Sequence, residues 1–124
     1  MPQLERRRFV LIVEDDAVSA RRLAQLLRED GYATEVVCDG QLANERLTRE
    51  PTPDVLIIDY RLPRVDGLAV VRFARSHVPS ARVLMVTSYP EVVAARLHAE
   101  NADAVLVPKP VGYEDLIKHV AGTG

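Results

Sequence analysis

The chain has 124 residues, 48% apolar and 27% charged, with a formal net charge of -2. That length supports one domain whose core needs no metal or disulfide staple. The slight acidity gives no reason for direct nucleic-acid binding, no apolar run reaches the ~18 residues of a membrane span, and the single Cys38 excludes an internal disulfide framework.

Residues 1–8, MPQLERRR, read as an N-terminal tail in which Arg6, Arg7 and Arg8 form the only concentrated basic run. The apolar stretch after them breaks at Glu14, which makes a poor secretory signal, so the expected location is cytoplasmic. Phe9 to Val13 is apolar throughout and too short for a core helix; it reads as a fully buried strand. Glu14, Asp15 and Asp16 follow at once. Ala17 to Glu29 reads as a helix with Val18, Leu23, Leu26 and Leu27 on roughly one face, Asp16 as N-cap and Gly31 as stop.

Tyr32 to Cys38 gives a more alternating strand, with Cys38 expected in the core. Gln41 to Arg49 gives a helix carrying Leu42, Ala43, Arg46 and Leu47 at helical spacing. Val55 to Ile58 is a third, apolar strand ended by Asp59, and Pro63 with Asp66-Gly67 marks a loop before a helix over 68–76. Val83 to Val86 and Ala104 to Val107 supply two more strands, followed by helices over 92–100 and 113–120. Strands alternating with helices predict an α/β domain: a parallel sheet with helices on both faces, its most apolar strands (9–13, 55–58, 83–86) central. The domain is expected to span 9–120, with 121–124 as a C-terminal tail that frays. No DNA-binding or enzymatic output module is expected after residue 120.

In open α/β sheets, functional groups gather beyond the carboxyl ends of the strands. Those ends carry Glu14, Asp15 and Asp16, then Asp59, then Thr87 and Ser88, then Lys109. Hard carboxylate oxygens at that density suit Mg²⁺, which commonly binds one or two carboxylates together with phosphate and water. Mn²⁺ is a substitute. Asp59 is then the candidate nucleophile toward phosphorus, with Lys109 and Thr87 stabilising charge on the phosphoryl oxygens. Asp16 reads as a helix cap more than as a ligand.

The segments VEDD (13–16), IIDYRLPRVDG (57–67), LMVTSY (84–89) and VPKPV (107–111) together resemble the receiver domain of the two-component response-regulator family. The resemblance implies a three-layer, doubly wound (βα)5 flavodoxin-like sandwich with strand order 2-1-3-4-5. It implies Glu14 and Asp15 as metal ligands together with Asp59 and the backbone carbonyl of Arg61. Asp59 becomes the phosphorylated residue, Thr87 the switch hydroxyl, Lys109 the phosphoryl contact, and the Lys109–Pro110 bond is expected to be cis.

The implied partners are a sensor histidine kinase or histidine phosphotransfer protein as donor, a downstream protein or output domain, and a second copy in a homodimer. Donor selection is expected to fall mainly to the first helix, including Ala17, Ala20 and Arg21. Such a protein is a phosphoacceptor with Mg²⁺-dependent self-phosphorylation and slow self-dephosphorylation, not a conventional turnover enzyme. Three features depart from the family pattern. Leu106 stands where the family carries an aromatic switch residue, Asn101-Ala102 replaces a usual glycine turn, and bulky Arg61 and Tyr89 flank the path of water to Asp59. The Leu106 departure keeps a second reading open: a pseudo-receiver acting as a phosphorylation-independent interaction module. A phosphatase with an aspartyl intermediate would need a second carboxylate where Arg61 stands, and a dinucleotide binder would need glycines where EDDAVS stands.

Overall fold

The computed structural model describes residues 7–122. The elements run β1 (Phe9–Val13), α1 (Ala17–Glu29), β2 (Ala33–Val37), α2 (Gly40–Leu47), β3 (Val55–Asp59), α3 (Gly67–His77), β4 (Arg82–Thr87), α4 (Pro90–Ala99), β5 (Val105–Pro108) and α5 (Tyr113–Ala121). All strand pairs are parallel and the sheet order is β2-β1-β3-β4-β5. The expected (βα)5 architecture and strand order are therefore present. Among the described residues no helix is long and apolar enough to cross a membrane.

The strand composition follows from this order. In β1, β3 and β4 alternate residues enter two separate cores. Leu11, Val13, Leu56, Ile58, Val83 and Met85 pack toward α2, α3 and α4. Val10, Ile12, Val55, Ile57, Leu84 and Val86 pack toward α1 and α5. Strands buried on both faces need apolar side chains at every position, which is why these three segments read as unbroken runs.

Three helices begin with an aspartate that satisfies a free backbone donor of the first turn: Asp16 accepts from Ser19 N, Asp39 from Leu42 N and Asp66 from Ala69 N. Helix α4 differs. Its N-cap is Tyr89, which makes no side-chain capping bond, and it starts on Pro90, two residues before the expected Val92. Proline suits that first position because its missing N–H would have no helical partner there.

Several expectations are corrected. Val18 is 66% exposed, and the buried stripe of α1 is Ala20, Ala24 and Leu27. Leu42 is likewise exposed on α2. Cys38 is exposed, because β2 is an edge strand that stops at Val37. Arg46 does lie on the buried face of α2, where its charge is satisfied. Its Nε donates to Glu35 Oε2 at 2.9 Å, and its two Nη groups donate to the carbonyls of Arg49 and Pro51.

Asn101 holds φ 52° in the turn before β5, the left-handed backbone an asparagine tolerates, and the Lys109–Pro110 bond is cis. Arg8, expected in the tail, is tied to the domain. Its carbonyl accepts from Ala33 N and its Nη1 donates to Val120 O. The rest of the expected N-terminal tail through Glu5 and Arg6, and the last two residues of the expected C-terminal tail, lie outside the described residues.

Candidate functional site

The parallel ladders bring the strand exits to one edge. A bond from Glu14 N to Val37 O, 3.1 Å, continues the β1 ladder by one residue and fixes where the acidic run leaves the sheet. Asp59 is the last residue of β3 and pairs with Val86 of β4. Glu14, Asp15 and Asp59 each offer a carboxylate oxygen, and these oxygens lie within 4.8 Å of one another. Asp16 is not among them. It caps α1, and its backbone N–H donates to Glu14 Oε2 at 3.2 Å.

Lys109 arrives from the end of β5. Its Nζ donates to Asp59 Oδ1 at 3.2 Å, while its backbone N–H donates to Thr87 O at 2.7 Å. The Asp59 side chain in this pair is 13% exposed and that of Lys109 36%. Thr87 closes β4, is buried, and uses a lone pair of Oγ1 to accept from Tyr89 N at 2.9 Å. Its hydroxyl hydrogen is therefore free to be donated elsewhere.

Electrostatics divide the three acids. Burial, first of all, pushes Glu14 up from the usual carboxylate range to about 7. The Asp16 N–H opposes that shift, the charge and hydrogen bonding of Asp59 add to it, and Lys109 opposes it. Asp16 moves the other way: the hydrogen bond from the Ser19 hydroxyl, then that from Ser19 N, hold it below the ordinary aspartate value. Near neutral pH the crowding of the carboxylates is thus relieved in part by a proton on Glu14. A hard dication would relieve it better, because an all-oxygen, net-negative donor set is what Mg²⁺-type ions take. The cluster fits a divalent metal on that ground.

A cleft of about 290 Å³ opens over Asp59 and is lined by Asp15, Arg61, Thr87, Tyr89 and Lys109 among others. Arg61 and Tyr89 meet across its mouth, the guanidinium lying 4.6 Å from the ring centroid. This is the flanking pair expected from sequence, now joined by a cation–π contact. Ser88 is on the exposed rim. Leu106, on β5 opposite Met85, is half-buried against the core cluster that includes Val93 and Leu97 of α4.

One contributor to the site carried no chemistry in the sequence reading. A Cβ at Gly67 would stand 2.6 Å from Asp59 O and 2.9 Å from Tyr60 Cα. The start of α3 therefore lies directly against the backbone that carries Asp59, and only a residue without a side chain permits it. Gly40 does the same for α2 against the backbone of Val65 in the loop after β3. The only local signal for Gly67 is the Asp-Gly pair, which reads equally well as an ordinary turn and helix start.

The sequence matches the response regulator receiver domain family over residues 10–121. Response regulator MprA of Mycobacterium leprae (strain TN) is 34% identical over 112 residues, covering 90% of this chain and 48% of that protein. The chain thus spans about half the length of the curated relatives it matches. A CheY-like response regulator receiver domain protein from Methanospirillum hungatei JF-1 superposes with a TM-score of 0.86 at 22% identity, covering 94% of this chain and 93% of that one. A response regulator from Burkholderia pseudomallei, solved with a phosphorylated aspartic acid, a calcium ion and citrate, superposes with a TM-score of 0.79 at 26% identity, covering 90% and 65%.

Proposed function

The chain belongs to the response-regulator receiver family, and from that premise we propose that Asp59 is its phosphoacceptor. As a receiver it is a phosphorylation-dependent aspartyl switch. The observation that carries the assignment to Asp59 is the convergence of three strand exits: Lys109 Nζ lies 3.2 Å from Asp59, and Thr87 ends the next strand with a hydroxyl hydrogen to spare. The related Burkholderia protein with a phosphorylated aspartic acid supports it.

In the proposed reaction a carboxylate oxygen of Asp59 attacks the phosphorus of a phosphohistidine or small acyl phosphate. The bond from phosphorus to the leaving nitrogen or oxygen breaks with its electron pair going to the leaving group. Lys109 neutralises charge on the phosphoryl oxygens and Thr87 donates to one of them. Glu14, Asp15, Asp59 and the carbonyl of Arg61 would hold Mg²⁺, or Mn²⁺, which supplies further charge neutralisation. Glu14 must lose its proton for that.

The receiver in this reading takes in Arg8, which bonds to Ala33 and Val120, and runs through Ala121 at the end of α5, one residue beyond the expected 9–120 at each end; the protein acts in the cytoplasm. Its donor is a sensor histidine kinase or phosphotransfer protein. Docking falls to the exposed Ala17, Val18 and Arg21 on α1; Ala20, expected to take part, is buried. The Arg61–Tyr89 contact shields Asp59 from water, so the phosphoryl group is lost slowly, and a half-life of seconds would overturn that.

Incubation with Mg²⁺ and acetyl phosphate, followed by intact-mass measurement, tests the central assignment. One phosphoryl group per chain, absent in Asp59→Asn, is the expected result. No adduct at saturating donor with the fold intact would instead favour the pseudo-receiver reading that Leu106 keeps in play.

A further inference from the structure

Tyr60 follows Asp59 directly, and its main chain is held on two sides. Its N–H donates to Val86 O at 3.1 Å and its carbonyl accepts from Gly67 N at 3.0 Å. The side chain packs against the cluster that contains Val93 and Leu97 of α4, and its hydroxyl accepts from Arg96 Nη1 at 2.9 Å. Arg96 also donates to Asp66 Oδ2 at 3.4 Å and to Glu100 Oε2 at 3.2 Å. Glu100 in turn pairs with Arg72 of α3.

Among the described residues helix α4 is therefore hydrogen-bonded to the site at two points. At its start Tyr89 N donates to Thr87 Oγ1; about two turns on, Arg96 donates to Tyr60. Between them the helix has little else to fix it: no side-chain N-cap, and Val93 and Leu97 as its buried residues. A hydroxyl drawn from Thr87 toward a phosphoryl group on Asp59 pulls Tyr89 and the first turn with it. The Arg96 bond resists, because it ties the later turn to a main chain already bonded to β4 and α3. Leu106 offers no polar group through which β5 could carry the same movement.

Building on the phosphoacceptor reading, we infer that the Tyr60–Arg96 hydrogen bond is a latch that holds α4 in its unphosphorylated position and slows phosphorylation of Asp59. Tyr60 and Arg96 are positioning residues. The free energy that holds the latch closed is subtracted from the stability of any state in which α4 has moved, so removing the latch enlarges the population that accepts a phosphoryl group.

The test compares wild type, Tyr60→Phe, Arg96→Gln, the double variant and Arg72→Gln. Each is given Mg²⁺ and acetyl phosphate, with intact mass followed in time and hydrogen exchange of residues 89–100 measured without donor. Each single latch variant is expected to gain a phosphoryl group about fivefold faster, the effect of one partly exposed hydrogen bond. Exchange in α4 rises alongside. The double variant matches Arg96→Gln, because Tyr60→Phe removes no bond that Arg96→Gln does not already remove, and Arg72→Gln, which breaks only the outer pair, keeps the wild-type rate. Latch variants that phosphorylate at or below the wild-type rate overturn the inference, including the case where exchange rises alone, as simple loosening would produce. Absence of any adduct in wild type overturns the phosphoacceptor reading and the latch with it.

Discussion

Asp59 and Thr87 end adjacent parallel strands, yet they are held in different ways. Asp59 sits on a backbone clamped by the β4 ladder, by the Tyr60 N bond to Val86 O and by the close approach of Gly67, and its carboxylate is paired with Lys109. The side chain of Thr87 is buried, but the bond its oxygen makes leads to the start of α4, an uncapped helix. The carboxylate oxygens of Asp59 are thus placed by main-chain geometry, and the hydroxyl is coupled to the less firmly held element. Stiffness where chemistry needs sub-ångström placement, and slack where a signal must be read out, is the division a switch requires.

Lys109→Ala gives the largest effect on this contrast. Among the described residues it removes the one cation bonded to Asp59, and the loss of a preorganised charge donor slows phosphorylation by about a hundredfold. Thr87→Ala should separate the two regions. Phosphorylation from acetyl phosphate slows by about tenfold or less, while the change in α4 hydrogen exchange that accompanies phosphorylation in wild type disappears. A Thr87→Ala protein that still transmits to α4 would place the coupling elsewhere.

Gly67→Ala attacks the stiff side directly. The added methyl meets Asp59 O and Tyr60 Cα, backbone atoms that cannot rotate away, so a cost of about 1–3 kcal/mol is expected. Gly112→Ala, where a Cβ meets nothing within 4 Å, is the control; it changes only the glycine N-cap of α5 and should cost less than about 1 kcal/mol. Denaturant midpoints decide between them. Equal midpoints would mean that the loop before α3 gives way and does not clamp Asp59.

The two regions also differ in how far they are legible in the sequence. The strands, the central place of the most apolar ones and the convergence of Glu14, Asp15, Asp59, Thr87 and Lys109 follow from apolar runs that stop at polar residues, whereas the order of the sheet follows from the family resemblance of the motifs. A strand buried on both faces leaves no other pattern. Errors arise where size misleads. Val18 and Leu42 look like core because they are large, whereas the seam of α1 uses Ala20 and Ala24, small residues that let the helix approach the sheet. Cys38 looks buried by composition, but edge position overrides it. Gly67 and the Tyr60–Arg96 bond are invisible for another reason. A close approach and a contact across 36 positions have no periodicity to announce them.

The acids themselves sharpen what holds the stiff side together. With the folded value of Glu14 near 7 and its ordinary value at 4.5, the native protein retains a proton that the unfolded chain has lost between those pH values. Its contribution to stability is therefore full below about pH 4.5 and is lost as pH rises through 7. In EDTA the melting temperature should fall between pH 6 and pH 8, and Glu14→Gln, which cannot ionise, should show a flatter profile. A divalent cation favours the ionised carboxylate and opposes that loss. Mg²⁺ at ten times its Kd measured at pH 8 stabilises by about 1.4 kcal/mol, roughly 5 °C in a domain of this size. The same concentration should do less at pH 6, where the ion must displace the proton from Glu14. Equal Mg²⁺ shifts at both pH values would remove Glu14 from the metal-binding set and leave Asp15 and Asp59 to hold the ion alone.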